Sequence, residues 1–175
     1  MKGEFVAETK TLEYKTKRRL EFINITKDVE DFVKESCVET GNVVVQTHHT
    51  TCGVWMNEDE KNLIGQSEGG DLRKVLDGFA NPDGEYGHND IKDSRNPNGK
   101  RDTHLCEPDE KGVCHECING HAHAQGLIIK SSISLIVKKG KLLRGKWQEI
   151  MIVELDHDRE REVTFLVQGV GKVYN

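Results

Sequence analysis

The 175-residue sequence predicts a single α+β domain, mostly antiparallel β-sheets in a sandwich-like arrangement, with two or three helices. Three observations predict this class. The length is that of one domain. Segments with alternating apolar and polar residues, or rich in β-branched residues, occupy the first third and the last fifty residues. Two further segments carry apolar residues at helical spacing.

Four strands are predicted before residue 58. The first two are joined by a basic turn, KTKRR, and the third is rich in β-branched residues. In chain order they are GEFVAETKTLEYKT, RRLEFINI, NVVVQTHH and GVWM.

Two helices are predicted among these strands. Thr26 is the expected N-cap of the first, whose apolar face consists of Val29, Phe32 and Val33. Cys37, on this helix, is expected in the core. The second helix, DLRKVLDGF, ends at the turn NPDG. Its expected apolar face consists of Leu72, Val75, Leu76 and Phe79.

Residues 90–120 have almost no large apolar side chains and no periodicity. Such a stretch in a compact domain is functional, tied by a metal, or partly disordered. Order resumes at AHAQGLII, a short helix running into a strand. The chain then alternates strands with polar turns: SSISLIV, KKGK, WQEIMIVEL, DHDRE and REVTFLVQG. We expect Trp147 to belong to the core rather than to a ligand platform.

Bulk composition excludes several functional classes. The net charge of −5, with both signs interspersed, argues against a general nucleic-acid binder. No apolar run approaches the roughly 18 residues of a membrane span, and the first residues lack a signal-peptide core. A cytoplasmic protein is therefore expected, and its five cysteines should be thiols or metal ligands.

Five histidines near the ends of predicted elements suggest a site that forms on folding: His48, His49, His88, His121 and His123. Neighbours in a strand face opposite sides, and residues two apart on a helix diverge by about 200°, so at most three share one site. Three histidines with an open fourth position would suit a catalytic zinc ion. For each histidine alone, a hydrogen-bonded or surface role is the alternative.

Four motifs occur in a characteristic order and spacing: HTTCGVWMNEDE, EYGHND, NGHAHAQGLIIKSSISLIV and KGKLLRGKWQEIMIVELD. In these motifs, and over nearly its whole length, the chain resembles the YjbQ family. The resemblance implies a small α+β domain, a homotrimer, and a histidine-lined pocket for a metal ion or an oxyanion. It also implies a secondary thiamine-phosphate synthase activity. The matching positions are His49, Asn57, Glu58, His88, His123, Gly145, Trp147, Gln148, Glu154 and Arg161.

The resemblance assigns roles to these positions. His49, His88 and His123 form the expected metal triad for Zn²⁺ or a similar divalent ion, and His49 is also a catalytic candidate. Glu58 is a general base or a residue that orients a ligand, unless it is a solvated member of an acidic run. Arg161 contacts a phosphate, unless it forms a surface pair with a neighbouring glutamate.

Five further residues are candidates for anion or substrate binding, each with a plainer structural alternative: Thr50, Thr51, Asn57, Ser132 and Ser134. The threonines suit a strand for their shape alone. Asn57 could fix a loop through its own backbone contacts. The two serines share one face of a strand, either towards a pocket or towards solvent.

The insertion at residues 90–120 is longer than is typical of the family and carries Cys106, Cys114 and Cys117. Three thiols with this spacing resemble three of four ligands of a second, structural zinc ion. His115 or His104 is the expected fourth ligand. The alternative is a flexible loop with free thiols.

The leading functional hypothesis is an enzyme acting on a small phosphorylated metabolite. The resemblance implies that it joins a pyrimidine methyl diphosphate to a thiazole phosphate. One alternative is a metal-dependent hydrolase whose histidine triad activates a water molecule. Another is a metal- or metabolite-binding module without catalysis. No nucleic-acid or membrane partner is expected.

Overall fold

The computed structural model describes residues 3–65, 69–102 and 106–171, and it confirms a single α+β domain with antiparallel sheets. In these ranges the strands and helices follow one another in the order β1 (Phe5–Lys15), β2 (Phe22–Asn24), α1 (Thr26–Glu35), β3 (Val38–Thr47), β4 (Cys52–Asn57), α2 (Lys61–Ile64), α3 (Asp71–Phe79), α4 (Gly120–Gln125), β5 (Ser132–Lys138), β6 (Lys141–Leu142), β7 (Glu149–Glu154) and β8 (Glu160–Gly171).

The strands form two antiparallel sheets. The larger has the order β1-β8-β3-β5-β6, and the smaller has the order β2-β7-β4. The first two strands therefore lie in different sheets, and KTKRR carries the chain from one sheet to the other. The longest ladder joins β1 to β8, with Phe5 opposite Val170 and Lys15 opposite Glu160.

The main core lies between the sheets because alternate side chains of each strand point inward. Val43 and Val45 of β3 pack in one buried cluster with Phe165 of β8 and Ile152 of β7. Helix α1 adds the predicted apolar face, which includes Phe32, whose ring centroid lies 6.0 Å from that of Phe165. The sandwich-like prediction and the face of the first helix are both confirmed.

Two details of the helices differ from the predictions. The described ranges contain four α-helices rather than two or three, but α2 and α4 have only four and six residues. Thr26 is the first helical residue rather than the N-cap, because its hydroxyl accepts the N–H of Ile150 at 2.8 Å. Within these ranges no helix is long and apolar enough to cross a membrane.

Helix α3 has its predicted bounds, but its expected apolar face is only partly buried. Leu76 is 3% exposed, whereas Val75 and Phe79 are 62% and 51% exposed. Polar contacts attach the helix instead: Arg19 pairs with Asp77 through two hydrogen bonds of 2.7 and 3.0 Å. The side-chain amide of Gln125 in α4 donates to two carbonyls near the end of α3, so it fixes α4 beside that helix.

The described parts of the insertion, residues 90–102 and 106–120, are more ordered than their composition predicts. A one-turn 3₁₀ helix precedes it at Gly87–Asn89, and Ile91 bridges to Arg101 within it. The carboxylate of Asp93 accepts the backbone N–H groups of Arg95, Asn96 and Cys114. These bonds replace the regular backbone pairing that the segment lacks.

Candidate functional site

Two cavities meet where the β3–β4 connection passes helix α4, and His49 and His123 line both of them. The larger, of about 670 Å³, extends towards Gln46 and Ser132. The smaller, of about 280 Å³, is lined by one acidic residue, Glu116, and otherwise mainly by polar and basic residues, among them Thr50, Thr51, Arg101, Asn119, Arg159 and Arg161. A mixed cavity beside a compact cationic one suits a ligand with one anionic end.

The His49 ring is fixed by a backbone hydrogen bond, since the N–H of Glu162 donates to Nε2 at 3.0 Å. A neutral ring whose Nε2 accepts a hydrogen bond carries its own proton on Nδ1. Burial, and then the charge of Arg161, lowers the pKa of His49. The ring is therefore neutral at pH 7 and has an Nδ1–H donor. His48 also lines the larger cavity, and its ring bonds to Thr164 on the outer face of the sheet.

His88 and His123 form an edge-to-face pair, with ring centroids 4.4 Å apart. The amide nitrogen of Asn119 donates to Asp156 at 3.0 Å, so its Oδ1 accepts from His88 Nε2 at 3.1 Å. Burial lowers the pKa of both histidines, and the charge of Arg101 lowers each further. Both rings are therefore neutral at pH 7, and His88 keeps an unprotonated Nδ1.

His121 lies on the opposite side of α4 from the cavities, as the helical spacing requires. It is 6% exposed, and neither ring nitrogen has a hydrogen-bond partner among the described residues, although the Leu155 backbone lies alongside. Burial, and then the charge of Arg19, lowers the pKa of His121. Of the two histidines in this helix, only His123 reaches the site.

Arg161 forms a buried ion pair with Glu154 rather than a surface pair. Their side chains are 2% and 0% exposed. The Nε and one Nη of Arg161 donate hydrogen bonds to the two carboxylate oxygens of Glu154. The same Nη donates to the hydroxyl of Thr51 at 3.2 Å. Arg161 therefore fixes the backbone next to His49, while its charge is already compensated by Glu154.

Arg101 carries a positive charge that, unlike that of Arg161, is not compensated by a described carboxylate. Its guanidinium donates to the backbone carbonyls of His88 at 2.7 Å and Cys117 at 3.2 Å, which carry no net charge. No carboxylate in the described ranges forms an ion pair with it, whereas Arg159 pairs with Asp156 at 3.1 Å. Arg101 is therefore the cation of this wall best able to attract an anion.

The structure does not bring every predicted residue to this site. Asn57 and Glu58 lie at the far end of β4, about 17 Å from Cys52 at a strand's usual rise. Asn57 Oδ1 accepts the Glu58 N–H at 2.8 Å, which is the loop-fixing alternative. Ser132 lines the larger cavity, but Ser134 lies further along the sheet and accepts a hydrogen bond from Asn42.

The predicted metal triad does not fit a metal ion as these side chains are placed. His49 uses Nε2 for the Glu162 amide and holds a proton on Nδ1, so the neutral ring has no lone pair for a cation. In residues 3–65, 69–102 and 106–171, no group of three or more His, Cys, Asp or Glu side chains is arranged to hold a metal.

The cysteines of the insertion form a separate cluster. Cys106 and Cys114 are buried together with Ile91, and Cys117 packs against them. His115, a predicted fourth ligand, has a side chain 66% exposed and pairs with Asp109 at 3.2 Å. His104, the other candidate, lies outside the described residues.

Sequence reasoning missed Arg101, Asn119 and Arg159. Arg101 lies in the insertion, where no periodicity indicates which side chains point inward. Asn119 is adjacent to the histidine motif, and a polar residue two positions before His121 is the only signal that could have identified it.

Comparison with known proteins agrees with this fold. The profile of the family described as "UPF0047 protein YjbQ-like" matches residues 10–170. A UPF0047 protein of Methanothermobacter thermautotrophicus is 27% identical over 161 residues, covering 92% of each chain. One from Archaeoglobus fulgidus is 30% identical, covering 87% of this chain and 94% of its own.

Two crystal structures share the architecture. A YbjQ-like protein of unknown function from Sulfolobus solfataricus P2 superposes with a TM-score of 0.75 at 26% identity, covering 95% of this chain and 99% of its own. A hypothetical protein from Aeropyrum pernix K1 gives a TM-score of 0.72 at 31% identity, covering 93% and 98%. The profile spans most of the sequence, and the chain belongs to the YjbQ (UPF0047) family.

Proposed function

We propose that the protein is an enzyme that binds a small phosphorylated metabolite across the two cavities. One observation carries the proposal: a neutral His49 with an Nδ1–H donor and Arg101, which no described carboxylate pairs, both line the smaller cavity. Cations and N–H donors facing one compact space are the usual recognition elements for phosphate oxygens.

The transferase activity implied by the YjbQ resemblance suits such a site. In that reaction the thiazole nitrogen forms a bond to the pyrimidine methylene carbon, and the carbon–oxygen bond to the diphosphate breaks. The departing pyrophosphate gains negative charge as this bond lengthens. Arg101 and the Nδ1–H of His49 would stabilise that charge, while the larger cavity would hold the ring systems.

His88 and His123 supply hydrogen-bond acceptors rather than charges. Both are neutral at pH 7, and Nδ1 of His88 is unprotonated. The transfer step breaks no bond to hydrogen, so a neutral imidazole here would accept a hydrogen bond from a substrate N–H group rather than a proton. This assignment needs no metal ion at the triad.

Phosphate binding tests the proposal directly. In Arg101→Gln the guanidinium is lost, and we expect affinity for pyrophosphate to fall about 10- to 100-fold, since hydrogen bonds to charged groups contribute about 1.5–3 kcal/mol. Isothermal titration calorimetry with inorganic phosphate and pyrophosphate measures the change. The matched control is Arg144→Gln, which removes a distant arginine that pairs with Glu30 and Glu149. Equal affinity in Arg101→Gln and the unmodified protein would refute the assignment.

We also propose self-association through the outer face of the larger sheet, as the homotrimer implied by the resemblance requires. Val44 lies opposite Leu166 on this face, and Ile136 and Val170 are 57% and 45% exposed. These apolar side chains lie among polar ones such as Asn42 and Thr164, a mixture that is common in protein interfaces. We expect light scattering to give three times the chain mass, and Leu166→Asp to reduce it to one. A monomeric unmodified protein would contradict this.

A further inference from the structure

The three cysteines of the insertion form one packed cluster. Cys106 and Cys114 are buried in this cluster, and Cys117 packs against them. The Cys114 thiol lies 3.7 Å from the carbonyl oxygen of Cys106. Residues separated by up to eleven positions thus pack three thiols into one cluster, although their sulfur atoms, as placed, are not arranged to hold a metal ion.

The backbone around these thiols is held by carboxylates. Asp93 accepts the N–H of Cys114 at 3.2 Å. Asp109 accepts the N–H groups of Lys111 and Val113, both at 2.9 Å, in the turn before Cys114. Such hydrogen bonds to the backbone beside the ligands are typical of the shell around a metal thiolate site.

Apolar packing alone gives the insertion little reason to order. The cluster around the thiols contains Ile91 as its only buried aliphatic side chain among the described residues, and it is separate from the two larger clusters. Ordering the described residues of the insertion costs conformational entropy that so small a cluster does not offset. A cross-link through the thiols would supply the missing stabilisation.

We propose that Cys106, Cys114 and Cys117 bind one Zn²⁺ ion, independently of the proposed phosphate site. Thiolates favour zinc over harder cations. Binding releases the three thiol protons to solvent and draws the sulfur atoms inward from their present positions. The fourth ligand is an oxygen from the adjacent cavity of about 660 Å³, which Cys106, Cys114 and Asp102 line.

The zinc site would also support the wall of the smaller cavity. Cys117 lines that cavity, and its carbonyl accepts a hydrogen bond from Arg101 at 3.2 Å. Fixing Cys117 therefore fixes one of the two carbonyl groups that orient Arg101. Removing zinc should weaken pyrophosphate binding without removing any residue that contacts the anion.

Elemental analysis of the full chain, purified under reducing conditions with zinc present, tests the proposal. We expect about one zinc per chain in the unmodified protein, and near zero in Cys114→Ser/Cys117→Ser. Loss of two ligands should weaken zinc binding by more than the 10- to 100-fold that follows from loss of a supporting residue. Two controls should retain the metal: Cys37→Ser, an exposed thiol outside the cluster, and His123→Ala in the phosphate site.

A second measurement guards against a variant that does not fold. Cobalt added to the zinc-free unmodified protein should give a thiolate-to-cobalt charge-transfer band and the visible bands of a tetrahedral site. Zinc retained in the double cysteine variant, zinc lost only in His123→Ala, or no thiolate band with cobalt would each overturn the proposal. A disulfide among the three cysteines that persists in the protein purified under reducing conditions would also overturn the proposal. None of these results depends on phosphate binding.

Discussion

Arg161→Met is expected to lower the free energy of unfolding by about 3–5 kcal/mol, because it leaves the Glu154 carboxylate buried without its partner. The loss should be visible as a lower midpoint in urea unfolding at pH 7 with an unchanged slope. The fixed position of Thr51 should be lost as well, since its hydroxyl accepts a hydrogen bond from the same guanidinium.

A double replacement separates the buried charge from the packing. Arg161→Met/Glu154→Leu removes both charges, and we expect it to recover most of the lost stability, as apolar replacements of buried ion pairs often do. The surface comparison is Arg144→Met, which breaks pairs with Glu30 and Glu149 and should change stability by about 0–1 kcal/mol. An equally small effect of Arg161→Met would show that the pair is solvated.

His49→Gln is expected to reduce the rate of the proposed transfer reaction by about 10²–10³-fold, the usual effect of removing one donor to developing charge. Glutamine places its amide near the position of Nε2, so the bond to the Glu162 N–H and the fold should survive. What is lost is the Nδ1–H donor. Pyrophosphate release during steady-state turnover measures the effect.

His49→Asn is the matched variant, because asparagine places its amide near Nδ1 instead. If the ring donates to an anion, asparagine should retain more turnover than glutamine. If the ring binds a metal ion, both variants should lose activity, and chelation should inactivate the unmodified protein. Full activity in both variants would remove His49 from the mechanism.

The elements of the sheet sandwich could be predicted from the sequence because alternation and β-branched residues report directly on strand burial. The same reasoning worked less well where burial depends on a partner element. Helix α3 has the predicted periodicity, yet Val75 and Phe79 remain exposed, because periodicity shows which residues share a face and not what covers it. Trp147 is likewise 61% exposed, with the Lys146 ammonium 4.6 Å above its ring.

The residues of the candidate site could be predicted only where they lie near the ends of regular elements. Local patterns place five histidines near the ends of elements, and the YjbQ resemblance selects His49 and His123 among them, which line the same cavity. The contribution of Arg101 could not be predicted, since it depends on how an aperiodic insertion folds back on the 3₁₀ helix. Glu58 follows Thr51 closely in sequence, but an intervening extended strand carries it to the other end of the sheet.

The pairing of β1 with β8 means that the first strand cannot complete its sheet until the last strand has been synthesised. Partner residues in that ladder are separated by 145 to 165 positions, and β8 also pairs with β3. During synthesis β1 therefore exposes an unpaired edge while most of the chain is still being made. The charged residues and threonines of β1 disfavour non-native pairing of this edge with other strands before β8 is available.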